Sequence, residues 1–107
     1  MRKRSVPKAA DKVGADEYCL GLVRAKPGLL VPHFLIHSYL YYVEDSPVIT
    51  DAAFDEIVRL LDAQWDTVEH QHKALIERSM LKTGFYLEYP PIVPGAAASL
   101  HRIVAAL

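Results

Sequence analysis

Residues 37–65 read HSYLYYVEDSPVITDAAFDEIVRLLDAQW, and the second half of this stretch decides the fold. Phe54, Ile57, Val58, Leu61, Trp65 and Val68 stand at i, i+3, i+4, i+7, i+11 and i+14, a continuous apolar stripe at helical spacing. Asp55, Glu56, Arg59, Asp62 and Asp66 fill the opposite face. Thr50 stands where an N-cap is needed, because its hydroxyl can accept the free amide hydrogens of the next turn. The pattern predicts a helix over 51–66 with Trp65 largely buried on its stripe. Upstream, Leu29 or Pro32 to about Glu44 has helical length, no glycine interrupts its later part, and Pro32 suits a first turn. The connection between these segments is short and contains Ser46-Pro47, so they are predicted to fold back as an antiparallel αα-hairpin. The first of the two is apolar nearly all round. A helix of that kind is buried on several sides or leaves a face for a partner.

Outward from the hairpin the signals weaken. Asp16–Lys26 reads as a short helix that stops at Lys26-Pro27-Gly28. Residues 69–77 read as a loop running into a short helix, and Ser79 with Gly84 brackets a further turn. Phe85–Val93 alternates weakly, holds Pro90-Pro91 and reads as an extended arm or at most an edge strand. Pro94 suits the first turn of a closing helix through Leu107. The expectation is a mainly α, single small domain over 16–107, built on the hairpin with additional short helices and a Pro-rich arm, preceded by a flexible basic tail over 1–15.

A chain of 107 residues with 51% hydrophobic and 23% charged residues can bury one core without metals or disulfides. Cys19 is the single cysteine, which excludes an intrachain disulfide framework and points to a reducing, cytoplasmic setting. The basic start is not followed by an apolar stretch of signal-peptide type, and the apolar run 28–43 is interrupted by Pro32, His33 and His37 and too short to span a bilayer. Neither export nor membrane insertion is expected. The formal net charge of −1 conceals an asymmetry: from Tyr41 to Glu69 eight acids face Arg59 alone. Such a surface repels a phosphate backbone, so direct nucleic-acid binding is expected only through the basic tail.

There is no glycine-rich phosphate loop and no G-x-S-x-G elbow. His33 and His37 share a helix face at i, i+4, but no acidic third ligand lies between them, and no metal is assigned. His70 and His72 read as solvated loop residues. At the hairpin's turn, Tyr41 is expected near Asp51, while Asp51 and Asp55 stand one helical turn apart on a shared face. Aromatic rings beside paired carboxylates suit a flat cation. The competing structural explanation is that Asp51 stabilises the helix dipole, Asp55 pairs with Arg59, and Tyr41, Tyr42 and Phe54 belong to the core.

The same stretch resembles the N-terminal Ia domain of bacterial NAD-dependent DNA ligases, whose hairpin has the form Y-Y/H-V-x-D-x-P-x-I-x-D-A-x-Y/F-D. Residues 41–55 match every fixed position of it. The resemblance implies recognition of the nicotinamide mononucleotide half of NAD, with Tyr41, Tyr42, Asp51, Phe54 and Asp55 as cofactor-binding residues and His37 as a further candidate. It is read over 37–63 and taken to end at Trp65. The K-x-D-G lysine of the ligase nucleotidyltransferase domain is missing, and Lys82-Thr83-Gly84-Phe85 does not replace it, so ligation by this chain and a catalytic residue of its own are not expected.

Two functions follow from the resemblance. In the first, a stand-alone Ia-like module binds NAD or nicotinamide mononucleotide without ligase activity. In the second, a phage-type interaction or host-inhibitory protein reuses the hairpin as a scaffold and docks a protein partner through its acidic face or first hairpin helix.

Overall fold

The structure is a computed structural model and describes residues 13–82 and 89–107. Four helices carry it: α1 (Val13–Ala25), α2 (Leu30–Tyr42), α3 (Asp51–Ala63) and α4 (Ile92–Ala105), with 3-10 turns at Pro27–Leu29, Lys73–Leu75 and Arg78–Lys82. The fold is mainly α, and there is no strand among the described residues. None of the described helices is long and apolar enough to cross a membrane. The basic segment 1–12 and residues 83–88, with the first four residues of the Pro-rich arm and most of the Lys82–Phe85 stretch, lie outside the described residues; at the arm's other end Ile92 and Val93 are not extended but open α4. Helix α1 begins at Val13, so the last residues assigned to the tail are helical, and Ala15 is buried.

Helix α2 runs through the middle of the molecule. Nine of its residues are buried, from Leu30 to Tyr41, and α1, α3 and α4 all pack against it. This explains its apolar surface on every side. Helix α4 lays Val93, Ala97 and Leu100, spaced i, i+4 and i+7, into the core, and Ser38 Oγ and Tyr89 Oη share a hydrogen bond of 2.8 Å just before α4 begins. Of the two expectations for the first hairpin helix, burial on several sides is the one the structure shows, with the chain's own C-terminal helix packed against it.

The hairpin turn is closed at both ends. At the end of α2, Asp45 takes a left-handed φ of 49°, a conformation that Asp tolerates better than most side chains, and Ser46 N–H donates to the Leu40 carbonyl at 2.8 Å. His101 of α4 ties down the same turn, with Nε2 3.2 Å from Ser46 Oγ and 3.1 Å from the Ser46 carbonyl. At the start of α3, Thr50 caps as expected, its hydroxyl accepting from Ala53 N–H at 3.2 Å. That hydroxyl also donates to Asp16 Oδ2 at 2.7 Å, while Thr50 N–H donates to Asp16 Oδ1 at 2.9 Å. Asp16 comes from the beginning of α1 and Arg24, near its end, pairs with Glu56 at 3.3 Å, so α1 and α3 run side by side in the same direction.

Helix α3 ends earlier than its stripe suggested. It stops at Ala63, and Gln64 leaves helical geometry (φ −108°, ψ 16°). Arg78 satisfies the end, donating from Nη2 to the Asp62 carbonyl and from Nε to Asp62 Oδ1, both at 2.9 Å. The turn that follows carries Val68 into the core but leaves Trp65 only half-buried, with Lys73 Nζ 5.1 Å from its ring centroid. Trp65 is thus not the largely buried stripe residue expected, because the helix that would have aimed it inward ends two residues before it.

Two measurements check these contacts. Asp16→Ala removes both charge-assisted bonds to Thr50, and chemical denaturation followed by circular dichroism should show a loss of about 1.5–3 kcal/mol. Trp65→Ala should cost about 1–3 kcal/mol, less than the roughly 3–5 kcal/mol expected for Phe54→Ala at a fully buried site.

Candidate functional site

The pole where α2 ends and α3 begins gathers the aromatic and acidic residues singled out by sequence. Tyr41 and Phe54 lie with ring centroids 5.7 Å apart, Tyr41 and Tyr42 also 5.7 Å apart, and Phe34 stacks on Phe54 at 6.2 Å with the planes 13° from parallel. Their exposure divides them. Tyr41 and Phe54 are 1% and 0% exposed and form the floor of the pole, whereas Tyr42 and Asp51 are half-buried and Asp55 is exposed. Of these five residues Tyr42, Asp51 and Asp55 keep accessible surface, while Tyr41 and Phe54 do not. Asp51 opens the first turn of α3, where its negative charge complements the helix dipole, and the Asp16–Thr50–Ala53 bonds hold that turn in place.

The acidic character of α3 is partly offset. Glu56 accepts from Arg59 Nε at 2.8 Å and Nη2 at 2.6 Å and from Arg24 at 3.3 Å, and these guanidinium hydrogen bonds, that of Arg59 first, bring its carboxyl down to about 2. Asp62 is engaged by Arg78. Arg59 thus pairs with Glu56, three residues before it.

His37 is not at the pole. It is 1% exposed and faces His33 one turn away, with His33 Nδ1 and His37 Nε2 3.4 Å apart. Cys19, fully buried on α1, completes a cluster in which the sulfur and one nitrogen of each ring all lie within 4.8 Å of one another. Burial keeps both rings neutral, lowering His33 from its ordinary value of 6.5 to about 4 and His37 well below 6.5. Burial, with the nearby Asp16 carboxylate adding to it, pushes the Cys19 thiol up to about 12. Neither Cys19 nor Asp16 was found by sequence reasoning. Both are third partners delivered by another helix, and the only trace of Cys19 in the sequence is its place on the Ala15, Cys19, Val23 face of α1 at i, i+4 and i+8.

With this geometry in view, comparison with known proteins adds a family. Residues 27–79 match the family described as DNA ligase-like, N-terminal NAD+-binding domain. The chain contains a ligase Ia-like domain. The DNA ligase of Acidobacterium capsulatum is 50% identical over 40 residues, 37% of this chain and 5% of that enzyme, so the chain shares only a small part of that relative's length. No solved structure matches. The Ia-like domain extends past Trp65, where the sequence pattern was taken to end, and includes the half-buried Trp65 and the turn at Lys73–Leu75. Helix α1, with Asp16 and Cys19, and helix α4 stand outside the matched residues.

The buried imidazoles make stability depend on pH. Below about 6.5 the unfolded chain takes up protons at His33 and His37, while the folded chain resists protonation of His33 until about 4. Stability is therefore fully present above this window and is lost as the pH falls through it. The urea midpoint should drop measurably between about pH 7 and about pH 5, and a His37→Gln variant that still folds should show a shallower drop.

Proposed function

We propose that this chain binds NAD, or its nicotinamide mononucleotide half, at the pole formed by the end of α2 and the start of α3. The observation that carries the reading is the complete hairpin motif of residues 41–55 inside a segment that belongs to an NAD+-binding domain family. The pyridinium ring of NAD is flat and positively charged. Tyr42 offers it an aromatic face, Asp51 and Asp55 offer negative charge and hydrogen-bond acceptors, and Tyr41 and Phe54 form the floor that holds Tyr42 and α3 in register. His37 is assigned no contact with the ligand, because it is buried beside His33.

Recognition is the role assigned to these residues, and transfer of AMP is not. The 107 residues hold no K-x-D-G lysine to receive it, and a binding module acting without ligase activity of its own is the corresponding proposal. A reducing, cytoplasmic setting suits both the nucleotide and the free thiol of Cys19.

Calorimetric titration with NAD and with nicotinamide mononucleotide at low salt tests the proposal. Removing a charged hydrogen-bond partner costs about 1.5–3 kcal/mol, so Asp51→Asn should weaken binding roughly tenfold or more and leave the denaturation midpoint nearly unchanged. If Asp51 serves only the helix dipole, the same variant changes stability by a few tenths of a kcal/mol and leaves binding untouched. A parent protein that binds neither ligand at millimolar concentration would overturn the proposal, and the hairpin would then be a scaffold for interaction with another protein.

A further inference from the structure

We propose that Cys19, His33 and His37 form a metal site for a borderline-soft divalent cation, with zinc the best fit, that ties α1 to α2. The inference rests on geometry independent of the nucleotide pole. Two ligands about 2.0–2.1 Å from a tetrahedral ion stand about 3.3–3.4 Å apart. His33 Nδ1 and His37 Nε2 are separated by 3.4 Å, the edge such an ion requires. A zinc–sulfur bond of about 2.3 Å puts the sulfur about 3.5–3.6 Å from each nitrogen, and the three ligand atoms already lie within 4.8 Å of one another. Closing that gap takes a movement of about an ångström, within reach of side-chain torsions on two packed helices.

The cluster is built, because all three residues are buried, between helices that hold them in place. Among the described residues His37 Nδ1 has no hydrogen-bond partner, although the ring is 1% exposed. Buried polar atoms without a partner are rare, and here the orphan is the ring nitrogen other than the one that faces His33. Each neutral imidazole keeps one lone pair, and the ring nitrogen that donates across the 3.4 Å hydrogen bond passes its proton to that ring's other nitrogen as the ion binds, while the cation takes the place of the Cys19 thiol proton. On binding, the Cys19 S–H proton leaves to solvent, the thiolate and one nitrogen of each imidazole donate electron pairs, and a water completes the fourth position. His33, 7% exposed, marks the side on which ion and water arrive.

The donor set selects the ion. A thiolate with two imidazoles and no carboxylate suits zinc, and also copper in its reduced state, and disfavours magnesium and calcium, which require oxygen ligands. A cation here pins Cys19 of α1 to α2, one helical turn from Asp16, which holds Thr50 at the start of α3.

The test uses the untagged full chain, stripped with a chelator and kept reduced with a phosphine. Cobalt(II) should bind at about one per chain, with tetrahedral visible bands and a near-ultraviolet sulfur-to-cobalt charge-transfer band. Because Cys19 is the only cysteine, that band reports on this site alone. Zinc(II) should displace the cobalt and raise the melting temperature. Cys19→Ser should abolish the band and weaken zinc binding by more than about 100-fold, beyond the effect of losing an outer-shell partner. A His70→Gln/His72→Gln variant should bind as the parent does. Absence of the sulfur band in the folded parent overturns the proposal, and so does zinc binding that survives in Cys19→Ser and disappears in the His70/His72 variant. The parent's cobalt spectrum decides the matter even if Cys19→Ser does not fold.

Discussion

The carboxylate of Asp16 holds the N-terminus of α3 through two bonds to Thr50, and the arrangement of the pole depends on it. Thr50 alone could cap the helix, since its hydroxyl reaches Ala53 N–H. With Asp16 accepting from both the Thr50 hydroxyl and the Thr50 backbone, the cap also becomes a junction between α1 and α3. The start of α3 presents Asp51, Phe54 and Asp55, so their direction is set by a residue 34 positions before Thr50 in the chain. A carboxylate at this point adds negative charge where the helix dipole is positive, so the junction and the local electrostatics act in the same sense.

Helix α2 shows how an apolar surface is assigned to partners. Its residues could bury themselves against another protein or against the chain's own elements, and packing by α1, α3 and α4 uses the available faces. Helix α4 matters beyond its buried area, because His101 binds the Ser46 turn and fixes the left-handed Asp45 linkage between the hairpin helices. The Ia-like segment therefore depends on two helices outside the matched residues, one on each side of the hairpin.

The same packing divides the aromatic residues of the motif between support and contact. Tyr41 and Phe54 are spent on the core, where a stacked Phe34 holds Phe54, and Tyr42 is left at the surface beside the acidic turn. His37, one turn before Tyr41 on α2, faces the opposite task and joins Cys19 and His33. One helix thus takes part in two clusters of different composition: aromatic residues at its end, and two imidazoles nearer its start that meet the Cys19 sulfur of α1.

The helical class, the αα-hairpin, the Thr50 cap and the 41–55 motif were legible in the sequence, because periodicity, capping and turn chemistry act over a few residues and leave a local signature. The extent of α3 was misjudged for the same reason in reverse: Trp65 continues the apolar stripe, yet Arg78, 16 residues away, takes the Asp62 carbonyl and closes the helix. Asp16 at Thr50, Cys19 beside His33 and His37, α4 over α2, and the burial of Tyr41 and Phe54 were decided by tertiary structure alone. Each depends on the direction in which one helix lies against another, a quantity set by side-chain packing across the whole core and carried by no short stretch of the chain.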